Sequence, residues 1–233
     1  MDAAEVSKLA TLEDRHWWYR ERRWLLAREL ARIPGPPGVA VDIGAAGGGN
    51  TRVLRKRGWR EVVIEYGEEG AQTAAVRGLR TVRGDGTALP LRSGAIDLVV
   101  AFDVLEHIED DAAAAAEIHR VLAPGGTLLV AVPCDMALWS AHDVAVGHVR
   151  RYDRASLRSL IAGAGLVVED LRSWNVLLRA VVRMRRRTST ESDLTELNPV
   201  INAGLTTIIR AERLLPVGGR KGVSLLLRAR RAA

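Results

Sequence analysis

Residues 39–50 read Val-Ala-Val-Asp-Ile-Gly-Ala-Ala-Gly-Gly-Gly-Asn, and few folds accommodate such a stretch. Val39-Ala40-Val41 is apolar without alternation, the pattern of a strand buried on both faces of a parallel sheet. Asp42 interrupts the run, a glycine-dense turn follows, and Asn50 to Arg57 reads as the start of a helix. Strand, glycine turn and helix together lay a nucleotide-like ligand across the carboxyl end of a parallel sheet. Glycine is needed there because the backbone must turn tightly and leave room. At 233 residues the chain is long enough for one α/β domain with additions.

The turn narrows the ligand. A dinucleotide fingerprint wants Gly-x-Gly-x-x-Gly, and the register here gives Gly44, Ala46 and Gly49. Ala46 stands where a glycine would let the backbone approach a pyrophosphate, which counts against NAD or FAD. Asp42 is placed to attract a ligand ammonium, directly or through water. Glu65 closes a second apolar run 23 residues after Asp42. An acid at that spacing accepts ribose hydroxyls in several cofactor classes, so it locates a ribose without naming the cofactor.

The later motifs come in a fixed order. Asp42-x-Gly44-x-x-x-Gly48 resembles motif I of the class I S-adenosylmethionine-dependent methyltransferases. Gly84-Asp85-Gly86-Thr87-Ala88-Leu89-Pro90 resembles that family's Gly-Asp-Ala-x-x-Leu-Pro stretch, whose aspartate accepts the adenine amino group. Val104-Leu105-Glu106-His107 resembles its fourth motif, and Leu122-Ala123-Pro124-Gly125-Gly126 before an apolar run is a further signature. His148-x-Arg150-Arg151-Tyr152 is similar to a stretch many members carry before the next helix. The resemblance covers residues 39–171 and 222–230. It implies a Rossmann-like α/β fold, with a seven-stranded, mostly parallel sheet, helices on both faces and an antiparallel last strand. It also implies S-adenosyl-L-methionine as cofactor, held by Asp42, Gly44, Ala45, Ala46, Gly48, Glu65, Tyr66, Asp85, Gly86, Thr87, Phe102, Asp103 and His107.

Methyl transfer to a small-molecule or lipid- or sugar-linked oxygen is the activity implied, with nitrogen and carbon behind it. A base is needed only where the acceptor holds its proton at neutral pH. By position at the carboxyl edge the candidates are His107 first, then His148, then His142 or Tyr152. His107 serves equally as a shaper of the pocket beside the methionine end. His142 and His148 lie six apart with Asp143 adjacent, but a metal needs a third ligand in fixed geometry, and none is assigned. Two other readings stay open: a cofactor-binding protein without methyl transfer, and an RNA methyltransferase.

The remaining segments are additions to this core. Residues 1–33 read as a helix with an aromatic cluster, His16-Trp17-Trp18-Tyr19, either pinned to the domain or serving as a lid. Residues 174–220 form an insert before the final strand. Ile201, Leu205, Ile208 and Ile209 give it a helical stripe. Residues 171–233 carry 13 basic and 4 acidic side chains, so the +6 net charge is a property of this quarter. The insert suits a helical cap or homodimer element, or a basic surface for a membrane or lipid-linked substrate. Few aromatics accompany its arginines, which counts against nucleic acid. One cysteine, Cys134, excludes an internal disulfide, and the charged N-terminal segment does not read as a secretory signal, so a cytoplasmic location is expected.

Overall fold

The computed structural model describes residues 12–45, 47–186 and 197–233. Ala46, residues 1–11, Arg187 and the polar loop 188–192 therefore lie outside the described residues. The strands are β1 (Val39–Ile43), β2 (Arg60–Glu65), β3 (Thr81–Arg83), β4 (Ile96–Phe102), β5 (Leu122–Pro133), β6 (Leu166–Trp174) and β7 (Ser224–Arg231). They form one sheet in the order β3-β2-β1-β4-β5-β7-β6. The pairs from β3 through β5 are parallel, and β7 runs antiparallel to both β5 and β6. The expected seven strands and antiparallel last strand are both present.

Residue parity decides which side of the sheet each strand residue covers. Val41, Ile43, Val99, Ala101, Leu128 and Val130 pack in one core with Ala114 and Ile118 of α4 (Asp111–Val121) and Leu157 and Ile161 of α6 (Arg154–Gly163). Ala40, Leu98, Val100, Phe102, Leu129 and Ala131 face the other way. They meet Leu25, Leu26 and Leu30 of α1 (Trp17–Leu30) and Leu54 of α2 (Gly49–Lys56). Helix α3 (Glu68–Val76) follows β2, and the short α5 (Ala141–Ala145) lies between β5 and α6. Pro124-Gly125-Gly126 ends α4 as expected but sits inside β5. The pairing with β4 jumps there from Ile96–Leu122 to Leu98–Thr127, looping the three residues out as a bulge.

The insert forms α7 (Arg179–Arg186) and α8 (Pro199–Glu212). Its stripe is split: Ile209 is buried and Leu205 partly so, packing with Trp17 and Leu178, while Ile201 and Ile208 stay exposed. No described helix is long and apolar enough to cross a membrane.

Two devices fix α1 to the sheet. Trp18 stacks on Trp174 at the end of β6, ring centroids 4.4 Å apart. Glu29, 1% exposed, takes Arg228 of β7 at 2.9 Å and Arg32 at 3.3 Å, and is paired with Arg172 of β6. Glu29→Ala would leave those arginines partly buried and unpaired. It should cost about 2–4 kcal/mol in urea denaturation, less than a fully buried pair because the arginines still reach water. A loss below about 0.5 kcal/mol would show that the tryptophans alone hold the helix.

Candidate active site

All the strands except β7 end at one edge, and the backbone there is forced. Gly44 closes β1 at φ +64°, and a Cβ on it would come 2.7 Å from Val104 Cγ2. Gly48 caps α2 at φ +77°, where a Cβ would lie 2.1 Å from Leu79 Cδ1. Side chains are excluded at both positions by conformation and by space. Among the described residues three non-glycines also sit in the left-handed region: Asp103, Asp135 and Asn175, following β4, β5 and β6. Strained backbone of this kind collects at functional edges, and Asp and Asn bear it best.

Carboxylates mark the ends of four neighbouring strands: Asp85 after β3, Glu65 on β2, Asp42 on β1 and Asp103 after β4. With strands about 4.8 Å apart, the row spans roughly 15 Å. Asp42 is buried and accepts from Thr51 Oγ1 at 2.6 Å. Burial pushes its carboxyl up to about 7, against the pull of that hydrogen bond. Glu65 is buried too, and a Cβ on Gly70 would come within 2.9 Å of its Oε2 and push the carboxylate aside. Asp85 is exposed and receives Thr87 N (2.8 Å) and Oγ1 (2.7 Å), which hold its carboxyl below the ordinary range. Gly86 packs near Ile108, and the neighbouring Tyr66 is 75% exposed. Asp103 pairs with Arg22 of α1 at 2.5 Å, and Arg22 also donates to the Phe102 carbonyl.

Beside this row lies a cavity of about 260 Å³. Gly44, Ala45, Gly47 and Gly49 bound one side, Trp17, Trp18 and Leu178 another. Glu106, His107, His142 and His148 also line it. His107 and His148, 41 positions apart, meet with ring centroids 4.8 Å apart. His107 Nδ1 lies 3.1 Å from the Gly147 carbonyl, which only accepts, so Nδ1 carries the proton and Nε2 the lone pair. Burial, then the neighbouring His148, take His107 down to about 4, leaving the ring neutral at pH 7. His148 Nδ1 donates to Asp143 Oδ1 at 2.8 Å. Asp143 is fully buried, caps α5 and also takes Arg151 Nε at 2.8 Å. Burial works to raise its carboxyl, but the His148 hydrogen bond and the Arg151 charge bring it below the usual value. Glu106 is fully buried with both oxygens unpartnered, and burial, then the Asp103 charge, push it well above the ordinary range.

The edge therefore joins His107 and His148 but does not bring Tyr152 to the cavity. The Tyr152 hydroxyl lies in the core, at 2.7 Å from Asp111 Oδ2 and 3.1 Å from the Leu105 carbonyl, where it braces the fold. His142 stands next to His148, 6.2 Å between centroids. Cys134 is buried, and its thiol is pushed up to about 11, which rules out a thiolate nucleophile at neutral pH. Sequence reasoning missed Arg22, Asp143 as the partner of His148, and Asn175, whose buried amide lines the cavity with neither polar atom partnered. The left-handed Asn175 has no local sequence signal. Arg22 was visible only as one charge among many on α1.

Asp42 binds its proton more tightly folded than unfolded, so its contribution to stability is present below about pH 4 and lost as pH rises through about 7. Asp42→Asn should therefore flatten the decline in unfolding free energy between pH 5 and 8, by on the order of 2–4 kcal/mol. Parallel slopes for the two proteins in denaturant titrations at both pH values would contradict the burial argument.

Comparison with known proteins agrees with this geometry. Residues 41–130 match the methyltransferase domain family. A Mycolicibacterium smegmatis protein named "Probable S-adenosylmethionine-dependent methyltransferase" is 29% identical over 163 residues, 68% of this chain and 63% of that one. The ubiquinone biosynthesis O-methyltransferase of Pseudomonas aeruginosa is 27% identical over 150 residues, 56% of this chain and 62% of that one. The matches thus span just under two thirds of these relatives' lengths. In fold, the methyltransferase chain of a complex with the Haloferax volcanii Trm112 methyltransferase activator superposes with TM-score 0.67 at 23% identity, over 99% of this chain and 95% of that one. Residues 41–130 thus carry a methyltransferase domain, and the motif order and the sheet with its reversed β7 are similar to those of the class I S-adenosylmethionine-dependent methyltransferases.

Proposed function

We propose that the protein transfers a methyl group from S-adenosylmethionine to an oxygen of a small-molecule or lipid- or sugar-linked acceptor. The row of carboxylates along adjacent strand ends, beside a cavity floored by two histidines, carries this reading. The residues fit the cofactor: Asp42 is a buried carboxylate that a ligand ammonium would stabilise, and the glycine turn leaves open the space that Cβ atoms would fill. When bound, S-adenosylmethionine supplies a methyl carbon on a positive sulfur.

The chain's own groups then divide the work. Glu65 accepts from the ribose hydroxyls and Asp85, through its second oxygen, from the adenine amino group. Arg22, beside Asp103, is the cation placed to meet the amino acid carboxylate. Trp17, Leu178 and Leu205 give the acceptor apolar walls, and the unpartnered Asn175 amide offers it one donor and one acceptor. The acceptor oxygen meets His107 and His148, where its proton is lost. Holding the two reactants in line supplies on the order of 7–11 kcal/mol of the barrier reduction.

Oxygen is favoured by the likeness to a relative named for O-methylation. A lipid-linked acceptor is supported by the cavity's outer rim. Val181 and Arg185 line the cavity there, and on the same helix Val181 and Met184 are about half or more exposed. The single buried thiol suits a reducing cytoplasm.

Calorimetric titration with S-adenosylhomocysteine should give micromolar binding, and NAD none. Glu65→Ala removes a charged acceptor and should weaken that binding roughly 10–100-fold. NAD binding without S-adenosylhomocysteine binding would overturn the proposal. Once an acceptor is in hand, His148→Ala should cut turnover about 10²–10⁴-fold with the cofactor affinity preserved.

A further inference from the structure

The geometry points to a divalent transition-metal site formed by Glu106, His107 and His148 on the floor of the cavity. One ligand atom from each of these side chains lies within 4.8 Å of the other two. His107 and Glu106 come from the short 3-10 turn after β4, and His148 from the loop beyond α5. Their separation in sequence hides the grouping.

Three further observations single out this cluster. Both histidines have Nδ1 committed, His107 to the Gly147 carbonyl and His148 to the Asp143 carboxylate. Each therefore keeps its lone pair on Nε2. A backbone carbonyl and a carboxylate are the groups that hold the far nitrogen of metal-bound imidazoles. Secondly, Glu106 is fully buried, and no other residue hydrogen-bonds to its oxygens. A buried carboxylate without a partner is expensive. Arg22 and Arg151 lend it some charge from a distance, but their ion pairs are with Asp103 and Asp143. Thirdly, His148 Nε2 and Glu106 Oε1 are 3.8 Å apart. That is too long for a hydrogen bond, and near the ~3.4 Å separating two ligands of one tetrahedral zinc.

The donor set selects the ion. Two imidazoles and one carboxylate suit Zn²⁺ and its first-row neighbours, whereas Ca²⁺ and Mg²⁺ prefer oxygen alone. Three protein ligands with a further position open is the pattern of catalytic zinc. All three side chains line the cavity, so the open position faces the acceptor. The role of the ion in methyl transfer rests on the function proposed above; the site itself does not. There the ion takes the acceptor hydroxyl oxygen as a ligand and lowers its pKa. A comparable ion brings bound water from 15.7 to about 7. With both imidazole lone pairs on the ion, the hydroxyl proton passes to solvent in place of the transfer to a histidine described above. The acceptor class is then an alcohol, phenol or enol able to ligate a metal.

The test uses the full chain without a polyhistidine tag, stripped with chelator and dialysed. Zn²⁺ is titrated by calorimetry, and Co²⁺ by its visible ligand-field bands. One ion per chain with micromolar or tighter affinity is expected, together with a higher Tm in Zn²⁺. Glu106→Gln and His148→Ala should each weaken binding more than about 100-fold. Wild-type protein that takes up no stoichiometric ion would overturn the site, and so would variants that bind as tightly as wild type. The wild-type titration needs no variant to fold. Titrating the same sample with S-adenosylhomocysteine separates the two readings. Protein that binds it but not Zn²⁺ retires the metal site alone. Protein that binds Zn²⁺ but not S-adenosylhomocysteine upholds the metal site and retires the cofactor reading.

Discussion

Directional agreement among neighbouring strands is the constraint from which this molecule's chemistry follows. Because β3, β2, β1, β4 and β5 pair in parallel, each must return through a crossover, and each carboxyl end delivers its next residues to one edge. The acids after β3, β2, β1 and β4 become neighbours in space although they span residues 42 to 103. Helix N-termini and unpaired amides at such an edge favour negative ligand groups, and the carboxylates choose where positive or hydroxylic ones go instead. The left-handed Asp103, Asp135 and Asn175 show the same edge bearing backbone strain that the buried strands behind it do not.

The second organising contact is electrostatic and joins the two extremes of the described chain. Basic residues concentrate in the last quarter, but many are not free surface charges. Arg172 and Arg228 neutralise Glu29, Arg213 holds Glu21 and lies 3.7 Å over the Trp24 ring, and Arg179 pairs with Asp135. Much of the basicity that suggests an anionic partner is thus internal, answering acids on α1 and at the sheet edge. The exposed arginines of α7 and α8, among them Arg183 and Arg210, are what remains for a surface role.

What could be read in advance divides by the range over which the information is written. Val39 to Asn50 declare a strand, a turn and a helix within twelve residues, and the rule of right-handed crossovers turns a series of such units into the sheet. Boundaries were less legible. β6 runs on past the family resemblance, which ends at residue 171, to Trp174, because its register with β7 carries Trp174 to Ser224, a fact set by the partner strand. In the site, Asp42 and Glu65 were legible because strand ends are local features. Asp85 was as well, though its Thr87 contacts serve the turn itself. The meeting of Glu106 and His107 with His148 was not, since the loop that closes it is fixed by Asp143 through Arg151 and the α5 cap. Tyr152 looked reactive by its neighbourhood in sequence, and packing turned its hydroxyl into the core.

The reversed strand has one more effect. β7 lies between β5 and β6 and follows β6 by fifty residues, with α7 and α8 intervening. Until residues 224–231 leave the ribosome, β5 has an open edge and β6 has nothing to pair with. Glu29 on α1 likewise waits for Arg228, although α1 is synthesised first. Part of the cavity lining, Val223 and Ser224 at the start of β7, is therefore put in place by the strand that comes last in sequence.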